Sequence, residues 1–290
     1  LAIIIIASAT IFSIGGIILY YFIEGHAFSE RFGVTFKEMY TGWMCFTTVF
    51  AATISLQKMY KAAAIMHKFL YLSCFGILSA VTLLNQSRAG IIGLFAALII
   101  MSLYWKKNII MIALIIAMFF LVPGLKERIE IVGIAKITIR PQIYRLTGEV
   151  IKDYPVAGIG YGGEIYGNSN LVDLEKYQAK LPQKYWQDDF IRTTPHNTFL
   201  DVAVRTGLVG LALFCGILLT AFWMLGDVFW RRREEFFRSW SICLFACLTA
   251  YLIQAFLNDA MYGAQGVILY FHLAMIGILW NLARKKPSAV

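Results

Sequence analysis

The sequence predicts an all-α integral membrane protein, a multi-span helical bundle with a partly helical segment on the outer side between two spans. Three observations carry that prediction. Hydrophobic residues make up 59% of the 290 and charged residues only 15%, against roughly 25% charged in a soluble domain, and the mean hydropathy is +0.68. The apolar residues gather in blocks near the length, about 20 residues, that a helix needs to cross the hydrocarbon. Lysines and arginines fall on alternate connections between those blocks, as the positive-inside rule requires.

Blocks 1–23, 40–56, 69–84, 90–105, 109–121, 198–225, 239–257 and 264–282 are the expected spans, several short enough to need flanking residues to complete them. The first opens at Leu1 with no basic region ahead and no small-residue cleavage site, so it reads as a span rather than a signal peptide, and a preceding N-terminal part is expected. Four basic clusters orient the chain: Lys58, Lys61 and Lys68; Lys106 and Lys107; Arg231, Arg232, Arg233 and Arg238; Arg284, Lys285 and Lys286. If the spans alternate, all four lie on the cytoplasmic side. The outer side then receives 24–39, the turn 85–89, the long segment 122–197 and the turn 258–263. The expected organisation is membrane helices over 1–121, an outer segment over 122–197, and membrane helices over 198–290 with a cytoplasmic C-terminus.

The net charge of +9 is explained by this asymmetry and does not point to nucleic acid. Cys45, Cys74, Cys215, Cys243 and Cys247 all lie in apolar blocks, where a thiol behaves as a small hydrophobe. Cys243 and Cys247 share a helix face, but without His or carboxylate neighbours they make no metal site.

Within the outer segment, Ile143, Leu146, Val150 and Ile151 have the spacing of one helix face over 139–153, with Pro141 in the first turn. Pro155 and the glycines at 158, 160, 162 and 163 then force a turn. Their G-I-G-Y-G-G run lacks the strand before and helix after that a dinucleotide fingerprint needs. Thr194 is the expected N-cap of the next span, with Pro195 at its first helical position.

Several polar residues stand out. Arg88, in N-Q-S-R-A-G, is the one charge in a tight turn between two spans, a place where an arginine snorkels, meets an anion or lines a cavity. Arg140 and Arg145 open the amphipathic helix, where a solvated charge is the ordinary reading of each. His196 is placed in the first turn of a helix at the outer face, whose positive end favours the neutral ring that a general base requires. Capping or interfacial packing is the alternative. His26 and His67 fall in flanking loops, and His272 falls in a span, where a core hydrogen bond is expected. Asp188 and Asp189 lack a third oxygen ligand at a telling spacing. Arg205, near the start of a span, is read as snorkelling or contacting a glycan.

Three stretches form a set: S-R-A-G-I-I-G-L from Ser87, R-P-Q-I-Y-R-L-T-G-E-V-I-K-D-Y-P-V-A-G-I-G-Y-G over 140–162, and P-H-N-T-F-L-D-V-A-V-R-T-G-L-V-G-L from Pro195. Together they resemble the O-antigen ligase and polymerase superfamily, from about the third span onward. The resemblance implies transfer of a glycan from a polyprenyl diphosphate carrier to an acceptor at the periplasmic face of a bacterial inner membrane. Ligases use a sugar of the lipid A core as acceptor, polymerases a second lipid-linked glycan. Arg88 matches the arginine after the first motif's serine, Arg140 the arginine ahead of P-x-x-G, and His196 the histidine of the H-N element. Arg145 has no such match and is a secondary substrate-binding candidate, as is Asn197. Family members are usually longer, with about a dozen spans.

The residues suit that chemistry on their own terms. Arginine forks match phosphate oxygens through charge-assisted hydrogen bonds, so Arg88 and Arg140 are expected on the diphosphate, with His196 as the base on an acceptor hydroxyl. Inversion at the anomeric carbon is expected, with no cofactor and no metal. Two alternatives are a polymerase using the same residues and a transporter or flippase of lipid-linked glycan. The apolar spans between residues 40 and 121 carry no acidic residue, which counts against a coupled transporter.

Overall fold

The computed structural model describes residues 1–33, 41–122, 139–162, 165–166, 168, 170–183, 194–258 and 263–285, and every regular element among them is helical. In chain order these are α1 (Ala2–Ile17), continued by a wider π-helical turn over Ile18–Ile23, α2 (Thr41–Lys61), α3 (Ile65–Leu84), α4 (Arg88–Ser102), α5 (Ile109–Leu121), α6 (Ile139–Asp153), α7 (Leu174–Ala179), α8 (Thr198–Arg231), α9 (Glu235–Leu257) and α10 (Gly263–Arg284). A helix stands at each of the eight expected spans. Five are long and apolar enough to cross a membrane: Ala2–Ile23, Ile65–Leu84, Thr198–Arg231, Glu235–Leu257 and Gln265–Arg284.

The other three fall short for two physical reasons. With 15 and 13 residues, α4 and α5 rise only about 20 Å each, against roughly 30 Å of hydrocarbon. α2 has the length, 21 residues, but Thr47, Thr48, Thr53, Ser55 and Gln57 dilute it. Lys58 and Lys61, expected in a connection, are the last turn of α2, where a cation suits the negative end of the helix.

The chain divides into two units. One comprises 1–128, 221–254 and 264–290, the other 129–220 and 255–263.

In the first unit α2 is the central helix. From Met44 to Gln57 every residue is buried except half-buried Thr47. Its polar side chains are answered from within: Thr48 Oγ1 shares a hydrogen bond of 2.8 Å with Thr82 Oγ1 of α3, Ser55 Oγ donates to the Tyr71 carbonyl at 2.8 Å, and Gln57 Nε2 donates to Ser239 Oγ of α9 at 3.4 Å. Cys243 and Cys247 face the α2 carbonyls of Thr53 and Phe50. His272 is a core residue as expected, bonded through Nδ1 to the Ile268 carbonyl at 2.7 Å with its ring 4.0 Å from that of Phe50.

The glycines of α4 set its distance from its neighbours. A Cβ at Gly90 would lie 2.5 Å from Cys45 Sγ of α2, and one at Gly93 3.1 Å from the Ala250 carbonyl of α9.

The second unit has its own small core. Leu146 and Val150 of α6 meet Tyr166, Val172, Val204 of α8, and Leu174 and Tyr177 of α7, with Ile151, Ile159, Ile165 and Leu181 at its border. Ile143 is also buried, so the helix face read from the spacing is the one used. Tyr166 brings a hydroxyl into this core and shares a 2.7 Å hydrogen bond with Thr147 Oγ1. Asp173 caps α7 by accepting from Glu175 N and Lys176 N. Lys180, just beyond α7, donates to Asp153 Oδ2 at the end of α6 at 3.1 Å. That bond, with a second from the Tyr177 hydroxyl, holds the Asp153 carboxyl below the usual carboxylate range.

Candidate functional site

The first structural feature around the candidate residues is a break in α8. At Gly207 the backbone leaves helical geometry, with φ +70°. In an unbroken helix the carbonyls of Val204 and Arg205 would accept from the amides four residues on. Here Leu208 N donates instead to the Pro155 carbonyl at 2.7 Å, and the two helix carbonyls accept from Ile159 N at 2.8 Å and Gly160 N at 3.0 Å. The glycine-rich turn and the helix break thus exchange backbone partners, so no amide or carbonyl in this exchange is stranded.

Only glycine permits the approach. A Cβ at Gly158 would lie 2.4 Å from the Arg205 carbonyl carbon, and one at Gly207 2.0 Å from the Val156 oxygen. The G-I-G-Y-G run is therefore a docking surface for α8, which gives its glycines a role unrelated to nucleotide. Gly163 lies outside the described residues.

Arg205 receives a firm account that corrects the snorkelling reading. It is 1% exposed, with Nε donating to Asp201 Oδ1, one turn earlier, at 2.7 Å. Its Nη1 donates to the Gly162 carbonyl. The same residue thus grips the turn by main chain and side chain while its charge is met by an acid of its own helix. Asp201 and Arg205 at i and i+4 were the signal in the sequence, since that spacing puts the two side chains on one helix face.

The start of α8 also departs from expectation. Helix begins at Thr198, and the N-cap is Asn197, not Thr194: Asn197 Oδ1 accepts from Phe199 N at 2.9 Å and Leu200 N at 3.1 Å. The physical reason is the backbone of His196, whose φ of +51° cannot belong to a right-handed helix. His196 therefore precedes the cap rather than sitting in the first turn. Asn197 Nδ2 also donates to the Phe256 carbonyl at 3.0 Å, and Thr198 Oγ1 to the Asn258 carbonyl at 2.9 Å, tying the entry of α8 to the end of α9 within this unit.

His196 is half-buried. Its Nδ1 lies 3.4 Å from Thr194 Oγ1, and its carbonyl accepts from the Tyr144 hydroxyl of α6 at 3.5 Å. Arg140 is exposed one turn before Tyr144 on the same face of α6. The second unit thus brings the helix bearing Arg140 to the backbone of His196. Arg145 is exposed on another face of α6, the one it shares with Glu149. Asp188 and Asp189 lie outside the described residues. Among the described residues no group of three or more His, Cys, Asp or Glu side chains could hold a metal ion.

Arg88 belongs to the first unit. It is exposed as the first residue of α4, between buried Ser87 and Ala89, and Ser87 Oγ caps the helix by accepting from Gly90 N at 3.4 Å. The turn before it is held by the segment that follows α1. Phe32 N donates to the Leu84 carbonyl at 3.0 Å, Arg31 Nε to the Asn85 carbonyl at 2.9 Å, and Gln86 Nε2 to the Ser29 carbonyl at 3.1 Å. Arg88 is thus displayed from a rigid base.

A search of curated proteins found no match to the chain. A family model described as O-antigen ligase matches residues 73–215, a stretch that contains Arg88, Arg140, Arg145, His196 and Asn197, together with the glycine turn and the break in α8. The resemblance read from the three motifs is borne out. Residues 73–215 match the O-antigen ligase family, whose members are membrane glycosyltransferase-like ligases and polymerases of lipid-linked glycan, and the protein that carries this match is a multi-pass membrane protein.

Proposed function

We propose that the protein is an O-antigen ligase of the bacterial inner membrane, moving a glycan from polyprenyl diphosphate to a sugar hydroxyl of the lipid A core at the periplasmic face. The observation that carries this reading is the family match over 73–215, whose span includes all three motif residues. The acceptor oxygen attacks the anomeric carbon as the bond from that carbon to the diphosphate oxygen breaks, inverting the centre. His196 takes the hydroxyl proton, worth roughly 10²- to 10⁴-fold for general base catalysis. Nδ1 faces Thr194 Oγ1 at 3.4 Å, and Nε2 is the nitrogen assigned to receive the proton. Polyprenyl diphosphate departs, and Arg88 and Arg140 neutralise the charge on it. The donor is already activated and arginines stand in for a cation, so neither metal nor nucleotide is needed. Arg145 and Asn197 are secondary: Arg145 as a contact to substrate, Asn197 as the cap that fixes the backbone beside His196. The outer segment 122–197 is the periplasmic part of this organisation, between membrane helices over 1–121 and 198–290.

The test is a transfer assay in membranes with polyprenyl-diphosphate-linked glycan and purified lipid A core, wild type against His196→Ala. Product on the lipid A core that is lost in the variant supports the ligase. Chains lengthening on the polyprenyl carrier would make the enzyme a polymerase with the same residues, and full activity in His196→Ala would remove the base assignment.

A further inference from the structure

We infer that Tyr161 is a glycan-contacting residue whose ring stacks on the apolar face of a sugar in the lipid-linked substrate, an inference that rests on the glycan-transfer reading of this site. The residues on either side of Tyr161 are both tied inward. Gly160 N donates to the Arg205 carbonyl at 3.0 Å, and the Gly162 carbonyl accepts from the Arg205 guanidinium. Ile165 folds beneath both, its Cδ1 lying 3.3 Å from where a Gly160 Cβ would be and 3.1 Å from where a Gly162 Cβ would be. Between two positions anchored on one buried arginine, Tyr161 stands 64% exposed.

A surface tyrosine on a loose loop needs no explanation. One clamped at both neighbours is different, because its backbone is ordered before any ligand arrives. Aromatic side chains with two rotatable bonds on a fixed backbone lose little entropy on contact and offer a broad face, the properties of a recognition anchor. The ring face matches the axial C–H surface of a pyranose, and the hydroxyl can bond an equatorial one. The turn that carries it docks on α8 at Val204, Arg205 and Leu208, in the same unit as His196. A lipid surface is the competing occupant of an exposed tyrosine near a membrane, and it makes a different demand: apolarity without a ring.

The experiment places 3-fluorotyrosine at position 161 of the full chain in lipid nanodiscs and follows its ¹⁹F resonance during titration with O-polysaccharide released by mild acid from the host's lipopolysaccharide. A saturable shift, with no broadening by spin-labelled lipid, is expected. In parallel, Tyr161→Leu should raise the KM for lipid-linked glycan about three- to tenfold, the range of an aromatic contact, with kcat within about twofold, and Tyr161→Trp should restore it. An unmoved resonance, broadening by the spin-labelled lipid, or wild-type KM in Tyr161→Leu would each overturn the inference. A shift in a protein that transfers nothing would keep the subsite and remove the transferase reading. Normal transfer with an unmoved resonance would do the reverse.

Discussion

Arg88 and Arg205 occupy similar places in the sequence, each near small residues at the head of an apolar stretch, and the molecule uses them in opposite ways. Arg88 is exposed at the first position of α4, on a turn fixed by Ser29–Phe32. Arg205 is buried at 1% exposure, answered by Asp201 and spent on the glycine turn. The difference lies in the neighbours at helical spacing. Arg205 has an acid four residues earlier. Arg88 is the first residue of its helix, with Ile92 rather than an acid four residues on. Arg205 is a structural tie, whereas Arg88 stands exposed at a helix start. Arg140, like Arg88, is exposed and has Tyr144 rather than an acid four residues on, while Arg145, also exposed, has at that spacing Glu149, a carboxylate that pairs with Lys152.

Breaking the buried pair gives the largest expected effect. Arg205→Met leaves the Asp201 carboxylate in the interior without its partner, costing about 3–5 kcal/mol, to be read as thermal unfolding in detergent. Arg88→Ala in the same assay should cost less than about 0.5 kcal/mol, as a surface change. Equal losses would erase the distinction. In the transfer assay the ranking of cause reverses: Arg88→Ala should lower the rate about 10²- to 10³-fold, as for loss of a charge-stabilising group in a transition state, in protein of normal stability.

Gly207→Ala sharpens the comparison by leaving the ion pair untouched and attacking its support. Its φ of +70° and the 2.0 Å approach to the Val156 oxygen should cost about 1–3 kcal/mol. Gly216→Ala, in the same helix with open space at the Cβ position, should be neutral or slightly stabilising; a matching loss there would mean that helix propensity, not the docked turn, governs α8. Asn197→Ala should cost about 1 kcal/mol for the lost cap, while Asn197→Asp, which keeps the acceptor and loses the donor to Phe256, should recover most of it.

The smallest effect is a pH dependence. Because the Asp153 carboxyl is depressed by Lys180 and Tyr177, its contribution is present at neutral pH and fades as acid protonates it through the depressed value. Asp153→Asn should flatten the acid limb of the stability profile and leave neutral stability little changed. An unaltered acid limb would mean that the tether adds nothing.

The sequence was most legible where local periodicity governs. The bounds 109–121 and 139–153 are those of α5 and α6, and the buried face of α6 was readable from Ile143, Leu146 and Val150. It was less legible where a distant chain segment decides. Nothing near Asn197 announces that its side chain reaches the Phe256 carbonyl, 59 residues on, or that His196 takes a positive φ, so Thr194-Pro195 looked the better helix start. The exchange between Pro155–Gly160 and Val204–Leu208 is likewise invisible to spacing, although the glycines that permit it stand out. Length and apolarity alone single out five of the eight expected spans; for α2, α4 and α5 an apolar run signals burial without saying whether lipid or protein does the covering.

The burial of α2 has a consequence for how the protein is made. A helix whose middle carries Thr48, Thr53, Ser55 and Gln57 gains little from lipid contact alone, since each polar group prefers a partner to hydrocarbon. It leaves the ribosome before α3, whose Thr82 and Tyr71 carbonyl answer it, and well before Ser239. Stable insertion of α2 is therefore expected to await synthesis of its hairpin partner α3. A break in translation between residues 61 and 84 would strand the least lipid-compatible helix of the first unit, and quality control by membrane proteases should act there first.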